Sequence, residues 1–175
     1  GYGFFALYQH GKPIRIFMHQ RIREYPVTGG ASTAARAFYN EDLKQYGLKI
    51  LNFLKWNGVA MVEFKYDQKQ RRFSLMEINS KFWGSTELAL RAGVNFAADL
   101  VRVYRGEKLV YNENYNRDLH FYWPLDNDIL HLWHTQQMGR ISEYWKRNAA
   151  TNIGQSFRAD IRKTLGLLKK IVASK

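Results

Sequence analysis

Two segments with the alternating pattern of β-strands flank a short charged turn, and this hairpin restricts the fold more than any other feature. Strands are predicted over residues 59–67 and 73–80. Side chains alternate between the two faces of a strand, so Glu77 and Asn79 share one face of the second strand. If the turn pairs the strands symmetrically, Glu63 lies directly opposite Glu77, and Asn79 is diagonal to Glu63.

The two glutamates predict a cation site. Carboxylates on opposite residues of a hairpin, with Cβ atoms about 5 Å apart, repel each other, and apolar flanking strands add a desolvation cost. Mg²⁺ prefers oxygen ligands, which Glu63, Glu77 and the Asn79 amide would supply, and it usually bridges to substrate phosphates. A nucleoside triphosphate is therefore the expected ligand. The alternative is a solvated face on which Lys65 or Arg71 pairs with one glutamate.

The composition excludes several other classes of site and fold. The chain has 175 residues, of which 46% are apolar, enough for one domain with a hydrophobic core. It has no cysteine, which excludes disulfides and thiolate metal sites and is consistent with a reducing, cytoplasmic location. No apolar run approaches the roughly 20 residues that span a bilayer. Because the sequence begins with Gly1 and not Met, we expect a piece of a longer protein.

The positive charge is concentrated near the end of the chain. The net charge is +12, and residues 139–175 contribute +7 from nine basic and two acidic residues. The basic residues are Arg140, Lys146, Arg147, Arg158, Arg162, Lys163, Lys169, Lys170 and Lys175, against Glu143 and Asp160. This balance indicates anionic partners, such as nucleotides, nucleic acid or an anionic membrane, or simply a solvated surface.

Strands and helices are mixed along the rest of the chain. Further strands are predicted over residues 4–10, 14–22, 33–39 and 119–123, and helices over residues 40–56, 85–91, 96–104, 128–137 and 156–173. In the last helix, the predicted packed face consists of Phe157, Ile161, Leu165, Leu168 and Val172. This order predicts an α+β fold with a largely antiparallel sheet flanked by helices.

The segments around the acidic hairpin resemble the C-terminal half of the ATP-grasp domain. Residues 58–65, GVAMVEFK, and 75–85, LMEINSKFWGS, are similar to its pattern of a metal-binding Glu on one strand and Glu-x-Asn-x-Arg on the next. Residues 87–94, ELALRAGV, resemble the helix and glycine turn that follow. Carbamoyl phosphate synthase, biotin carboxylase and D-alanine–D-alanine ligase belong to this superfamily. The resemblance covers residues 1–106, and residues 107–175 form a predicted, mostly helical C-terminal extension.

The resemblance implies a role for each matching residue. Glu63, Glu77 and Asn79 would hold one or two Mg²⁺ or Mn²⁺ ions on the ATP phosphates. The implied catalytic residues are Lys81 and Arg21, and the implied ATP-binding residues are His19, Arg23, Gly29, Gly30 and Ser32. The alternative for the basic residues is an ordinary polar strand, and for the glycines a plain turn. Lys81 stands where the family usually has Arg, which replaces a bidentate fork with a point charge.

The implied activity is that of a carboxylate–amine ligase. In this family a substrate carboxylate attacks the γ-phosphate of ATP to give an acyl phosphate and ADP, and an amine or another nucleophile then displaces phosphate. The implied partners are ATP, a small carboxylate and its nucleophile, N-terminal domains of the same protein that hold adenine, and, in a homodimer, a second copy. We expect the present chain alone to be inactive.

Two other functions fit part of the sequence. A basic nucleic-acid-binding module with stacking aromatics fits the charge, although the clearest constellation is acidic. A degenerate ATP-grasp domain with a structural or regulatory role fits the substitution at Lys81. His131 and His134, three residues apart on a predicted helix, are a weak metal candidate because no third ligand is apparent.

Overall fold

The computed structural model describes residues 1–154 and 157–173, and for residues 157–159 the backbone alone. The strands are β1 (Tyr2–Gln9), β2 (Lys12–Tyr25), β3 (Ala31–Ala37), β4 (Gly58–Asp67), β5 (Arg72–Asn79), β6 (His120–Tyr122) and β7 (Ala149–Thr151). The α-helices are α1 (Glu41–Phe53), α2 (Thr86–Arg91), α3 (Phe96–Tyr104), α4 (Ile129–His134) and α5 (Phe157–Ala173). These bounds lie close to the predicted ones, except that the predicted start of the last helix, Ser156, is outside the described residues.

The chain divides into two compact units. The first contains Gly1–Arg21 and Arg36–Asp118, and the second contains Ile22–Ala35 and Leu119–Lys175. Strands β2 and β3 therefore contribute residues to both units. The sequence predicts a different division, between the family-like residues 1–106 and a C-terminal extension of residues 107–175. That division describes where the family resemblance ends, and it stays a prediction.

The first unit is built on antiparallel strands. Strand β1 pairs antiparallel with β2 on one side and with β4 on the other, and β4 pairs antiparallel with β5. Strand β5 has β4 as its one neighbour in the sheet and so forms an edge. The predicted β4–β5 hairpin is confirmed, and with it the α+β class with a largely antiparallel sheet and flanking helices.

One face of this sheet forms the core of the first unit. Its buried residues are Phe4, Ala6 and Tyr8 of β1, Ile16 and Met18 of β2, Ala60, Val62 and Phe64 of β4, and Leu43 and Leu51 of α1. Burial of each large side chain contributes about 1.5–3 kcal/mol. Helix α1 packs closely because Gly47 faces Phe4, where a Cβ atom would overlap the phenyl ring. The other face of the strands carries Glu63.

Helix α1 begins after a capping residue, Asn40, which is the first residue of the predicted helix. The Asn40 side chain accepts a hydrogen bond from the Leu43 backbone N–H at 2.9 Å, which satisfies one of the free donors of the first turn. Glu41 and Asp42 follow in that turn, where negative charge is favourable at the positive end of the helix dipole. This helix fixes the strands of the first unit from the side opposite to Glu63.

The second unit is less regular. Strands β6 and β7 are parallel, and the Trp123 N–H donates to the Thr33 carbonyl at 2.9 Å. Helix α4 follows an irregular turn and ends at His134, three residues before the predicted end. The reason is local: Gln136 has a φ of 56°, a left-handed conformation that does not continue an α-helix.

Helix α5 packs by a different face from the predicted one. Ile161, Leu165, Leu168 and Val172 are 46%, 56%, 53% and 73% exposed, so their prediction as the packed face is wrong. Phe157 belongs to the residues whose side chains are not described. Among the described side chains of the helix, Leu167 is the buried apolar one, and Lys163 binds the Asp126 carboxylate at 2.8 Å on the same side. No described helix has the length and apolar character to cross a membrane.

Candidate metal and phosphate site

Glu63 and Glu77 are direct partners across the β4–β5 hairpin. The register pairs Glu63 with Glu77 and Met61 with Asn79, which confirms the predicted register. A bulge follows immediately, so that Phe64 pairs with Leu75 and the pairing shifts by one residue. Bulges often occur near active sites, where they redirect side chains. Here the bulge ends the regular pairing next to the two carboxylates.

The two carboxylates differ in their surroundings. The Glu63 side chain is 22% exposed, whereas Glu77 lies on the edge strand and is exposed. Among the described residues, no side chain forms an ion pair with Glu77. Glu63, in contrast, accepts a hydrogen bond at Oε1 from Arg21 Nη2, with a nitrogen–oxygen distance of 2.8 Å. The guanidinium therefore offsets part of the repulsion between the glutamates, a role that the alternative of a solvated face assigned to Lys65 or Arg71.

His19 lies in the same row of residues across four strands. Gly3 of β1 pairs with His19 on one side and with Glu63 on the other, and Glu63 pairs with Glu77. Gly3 is required in this row because a Cβ atom there would overlap the Phe5 ring and press on His19. The Phe5 and His19 rings meet edge to face, with their centroids 4.6 Å apart.

The His19 imidazole is neutral at physiological pH. The side chain is buried, with 5% exposure, and its Nδ1 atom has no hydrogen-bond partner among the described residues. Burial, followed by the nearby positive charge of Arg21, lowers the pKa of His19 from 6.5 to about 3. Because it stays uncharged, His19 can contribute shape and a hydrogen bond to a ligand but no attraction for phosphate charge.

The Asn79 side chain is held by the chain that follows it. Its Oδ1 atom accepts a hydrogen bond from the Lys81 backbone N–H at 3.0 Å, an arrangement typical of an Asx turn. An amide oxygen has two lone pairs, so one remains for a cation. Trp83 anchors the same segment by packing on Phe5, with ring centroids 4.6 Å apart. The Lys81 side chain itself is exposed.

The donor atoms of this face fit Mg²⁺ or Mn²⁺. Glu77 offers two carboxylate oxygens, Glu63 offers the oxygen that Arg21 does not occupy, and Asn79 offers an amide oxygen. Among the described residues, no group of three His, Cys, Asp or Glu side chains is placed to hold a metal. The site is therefore two carboxylates and an amide, a set that leaves positions for water and phosphate, as Mg²⁺ usually requires.

Arg23 lies in the second unit, inside a buried ion cluster. Its Nε and Nη2 atoms donate to the two oxygens of Asp128 at 2.9 and 2.7 Å, and Nη1 donates to Glu143 at 2.7 Å. The guanidinium also lies over the Tyr122 ring. All three nitrogens are engaged and the side chain is 1% exposed. The role of Arg23 as a phosphate ligand stays a prediction.

Asp128 is the centre of this cluster, and its sequence pattern identified it only as the start of a predicted helix. The residue is fully buried and also accepts hydrogen bonds from Thr33 Oγ1 at 2.9 Å and from the Tyr144 hydroxyl at 2.8 Å. Burial alone would lower the pKa of Arg23, but the hydrogen bonds to Asp128 and Glu143 outweigh it, and the net pKa is raised. The arginine is permanently charged and its carboxylate partners are satisfied.

The predicted glycine-rich cradle also lies in the second unit. Gly29 donates its N–H to the Pro26 carbonyl at 3.1 Å, so this donor is used within the loop. Gly30 is required by the turn, because a Cβ atom there would overlap the Tyr25 carbonyl. Ser32 follows at the start of β3. The role of Gly29, Gly30 and Ser32 in phosphate binding stays a prediction.

The two histidines of α4 contact different groups. His131 Nδ1 is 2.7 Å from the Glu24 carbonyl oxygen, and His134 Nε2 is 3.5 Å from the Tyr25 hydroxyl. Neither histidine is part of a cluster of metal-ligating side chains within the described chain. These contacts are consistent with a packing role.

The family of the chain follows from a match that includes most of this site. Residues 20–112, more than half of the chain, match the family model described as "Carbamoyl-phosphate synthase L chain, ATP binding domain". The chain belongs to this ATP-grasp family. The matched segment of the ATP-grasp domain contains Arg21, Glu63, Glu77, Asn79 and Lys81, and it begins one residue after His19. No curated protein sequence matches the chain.

Solved structures support the same fold. A complete multifunctional pyruvate carboxylase from Rhizobium etli has a TM-score of 0.55 and 18% identity, over 68% of this chain and 13% of that one. The T882A variant of that carboxylase with acetyl coenzyme A gives 0.53 and 18%, over 63% and 12%. The biotin carboxylase domain of a thermophilic 2-oxoglutarate carboxylase, bound to bicarbonate, gives 0.51 and 16%, over 63% and 26%. The ATP-grasp chain thus spans between 12% and 26% of the length of these structures.

Proposed function

We propose that this chain supplies the metal- and phosphate-binding half of the active site of an ATP-dependent ligase. The reaction joins a small carboxylate to an amine, or to a similar nucleophile, through an acyl phosphate. The observation that carries the proposal is the direct pairing of Glu63 with Glu77, beside Asn79, on two strands inside the family-matched segment. Opposed carboxylates on an open sheet face are costly unless they serve a cation.

The proposed roles follow from the surroundings of each residue. Glu63, Glu77 and Asn79 hold the metal, which neutralises charge on the ATP phosphates when it is bound. Arg21 lies beside Glu63 and is half-buried, so it is placed to bind the anionic carboxylate or the acyl phosphate with a charge-assisted hydrogen bond. His19 supports Arg21 as an uncharged neighbour, and the exposed Lys81 adds a positive charge at the edge of the face.

Other parts of the site are proposed to come from outside this sequence. The solved structures with the same fold are longer than this chain, and the matched part of the chain covers 12% to 26% of them. We propose that the residues that enclose adenine and bind the nucleophile belong to further domains of the same protein. The identity of the carboxylate and of the amine depends on those domains as well.

Metal binding by the 175-residue chain tests this proposal. Mn²⁺ titration, followed by calorimetry or electron paramagnetic resonance, should detect one or two sites that weaken about tenfold or more in Glu77→Gln. Glu77 is exposed on an edge strand, so the substitution should leave the circular dichroism melt unchanged. Asp42→Asn, which removes an exposed carboxylate from α1, is the matched control. Equal Mn²⁺ affinity in Glu77→Gln and the parent chain would refute the site.

A second candidate function, nucleic-acid binding, is favoured by the net charge of +12. It predicts tight oligonucleotide binding with a steep dependence on salt that Glu77→Gln does not alter.

A third candidate function, that of a degenerate ATP-grasp domain, is favoured by Lys81 at the position of the family Arg. It predicts normal Mn²⁺ binding by this chain together with no ATP turnover in the longer protein. The same Mn²⁺ titration therefore separates the nucleic-acid module from both ATP-grasp alternatives.

A further inference from the structure

Helix α5 presents an apolar stripe to solvent. Ile161, Leu165, Leu168 and Val172 follow one another at helical spacing and are between 46% and 73% exposed. The stripe is about 16 Å long at 1.5 Å per residue. Isolated exposed leucines are common on protein surfaces, but a continuous row of four large apolar side chains on one helix indicates an interaction site.

The stripe is distinct from the face by which α5 packs. Leu167 is buried with 7% exposure, and Ile171 is half-buried one turn later. On that packed side, Lys163 binds Asp126 at 2.8 Å and Lys170 donates to the Asn127 amide oxygen at 3.1 Å. The apolar stripe is rotated from this face by about a third of a turn. The helix can therefore stay anchored in its own unit while the stripe contacts something else.

The charge of α5 indicates what that partner is. The helix contains Arg158, Arg162, Lys163, Lys169 and Lys170 against a single acid, Asp160. Arg162 and Lys169 are exposed and lie on the side of the stripe away from Leu167, given 100° per residue. If a second copy of the helix packed on the stripe, the positive charges of Arg162 and Lys169 would lie close to the same charges of that copy and repel them. The stripe also offers roughly 400 Å² of apolar area, about half of what each partner buries in a stable protein interface.

We propose that α5 is a peripheral membrane-docking helix that binds an anionic lipid surface. The stripe enters the boundary between headgroups and acyl chains, and Arg162 and Lys169 contact the lipid phosphates. An amphipathic helix with an apolar row beside basic residues binds membranes in this way without spanning them. The basic residues of the segment 139–175, with a net charge of +7, add long-range attraction to the same surface. This proposal is independent of the metal site.

Vesicle binding by the whole 175-residue chain tests the proposal. The chain should co-sediment with vesicles of phosphatidylcholine containing about a third phosphatidylglycerol, at least about tenfold more tightly than with phosphatidylcholine alone, and high salt should weaken it. The double variant L165Q/L168Q should lose about tenfold or more of this affinity. Val110→Gln is the matched control, since Val110 is an exposed apolar residue of the first unit and 83% exposed.

Three results would overturn the proposal. The first is equal binding to neutral and anionic vesicles, or none to either. The second is a dimer in light scattering that L165Q/L168Q dissociates, which would assign the stripe to a second copy. The third is binding to oligonucleotides in the absence of vesicle binding.

A labelling experiment locates the contact without relying on the double variant. The chain has no cysteine, so single cysteines at Leu165 and Val110 can each carry an environment-sensitive fluorophore. Val110 is the matched position, because it is an exposed apolar residue outside α5. Anionic vesicles should shift the emission to the blue for L165C and leave V110C unchanged. Equal shifts at both positions, or no shift at either, would contradict the proposal.

Discussion

Two arginines of strand β2 have opposite surroundings although a single residue separates them. Arg21 is 22% exposed and contacts the Glu63 carboxylate at 2.8 Å. Arg23 is 1% exposed and binds Asp128 through two nitrogens and Glu143 through the third. The same residue type on the same strand therefore belongs to a partly open site in one unit and to a closed ion cluster in the other.

The difference separates an accessible ion pair from a buried one. A half-exposed pair contributes about 0–1 kcal/mol, so Arg21 can exchange Glu63 for a ligand at little cost. Removal of one member of a buried pair leaves an uncompensated charge and costs about 3–5 kcal/mol. Side-chain chemistry does not distinguish the two arginines; burial and the number of carboxylates that reach each one do.

Loss of Asp128 should lower the free energy of unfolding more than any other substitution proposed here. It tests whether the buried cluster around Arg23 stabilises the fold. Asp128→Ala leaves Arg23 buried without its main partner, and we expect a loss of about 3–5 kcal/mol in the free energy of unfolding. Urea unfolding followed by circular dichroism measures it. Tyr144→Phe, which removes one of the four hydrogen bonds to Asp128, should cost about 1 kcal/mol. A parent-like unfolding midpoint for Asp128→Ala would show that the cluster is not structural.

The pH dependence of His19 tests whether the metal-site face is as dry as the structure indicates. The pKa of His19 is 6.5 in the unfolded chain and about 3 in the fold, so between these values the unfolded state binds the additional proton. Stability should therefore fall by up to a few kcal/mol as the pH falls through this window, and be unaffected by His19 above it.

The matched variant for this test is His19→Phe, which keeps an aromatic ring against Phe5 and does not titrate. The difference in unfolding free energy between the parent and His19→Phe should change with pH between 6.5 and 3. Other titrating groups are common to both proteins and cancel in that difference. A difference that is constant over the window would place His19 in contact with solvent.

Replacement of Arg21 should change the stability of the fold little. It should strengthen Mn²⁺ binding, whereas Glu77→Gln should weaken it. Arg21→Gln removes a half-exposed ion pair, so the unfolding free energy should change by about 1 kcal/mol or less. Glu63 then loses a competing cation, and Mn²⁺ should bind the chain several-fold more tightly. Arg23→Gln serves as the comparison and should destabilise the chain strongly. Weaker Mn²⁺ binding in Arg21→Gln would mean that Arg21 organises the site instead of competing for it.

The smallest effect is expected for Lys81→Arg. The Asn79 side chain is held by the backbone N–H of residue 81, so the substitution should shift the unfolding free energy by less than about 0.5 kcal/mol and leave Mn²⁺ affinity unchanged. Arg restores the residue usual in the family, and in the longer protein we expect ATP turnover to be kept or increased. A loss of Mn²⁺ binding would show that the Lys81 side chain takes part in the metal site.

The local features of the fold were predictable from the sequence. The β4–β5 hairpin follows from side-chain alternation around a short turn, and the Asn40 cap follows from its spacing to the helix. The predicted pairing of Glu63 with Glu77 is correct, but it depends on the bulge between them and the turn. The bulge after Glu63 was not predicted, although the apolar alternation of β5 shifts at this point from Phe73 and Leu75 to Met76 and Ile78. The same local pattern also carried the family resemblance that the match over residues 20–112 confirms.

Long-range pairings were decided by the tertiary structure. Arg23 and Asp128 lie 105 positions apart, and Arg21 and Glu63 lie 42 apart, so no spacing rule connects them. Helix α5 shows the same limit in a different way. Its period correctly predicted a helix with an apolar row, but the contacts of Lys163 and Leu167 decided that this row faces solvent.

The sequence by itself determined the hairpin, the cap and the acidic face, because each depends on neighbours a few residues away. The tertiary structure alone decided which arginine is buried, which lies beside the Glu63 carboxylate and which face of α5 is covered. The physical reason is that burial and ion pairing depend on what the rest of the chain brings to a residue, and desolvation makes that environment worth several kcal/mol.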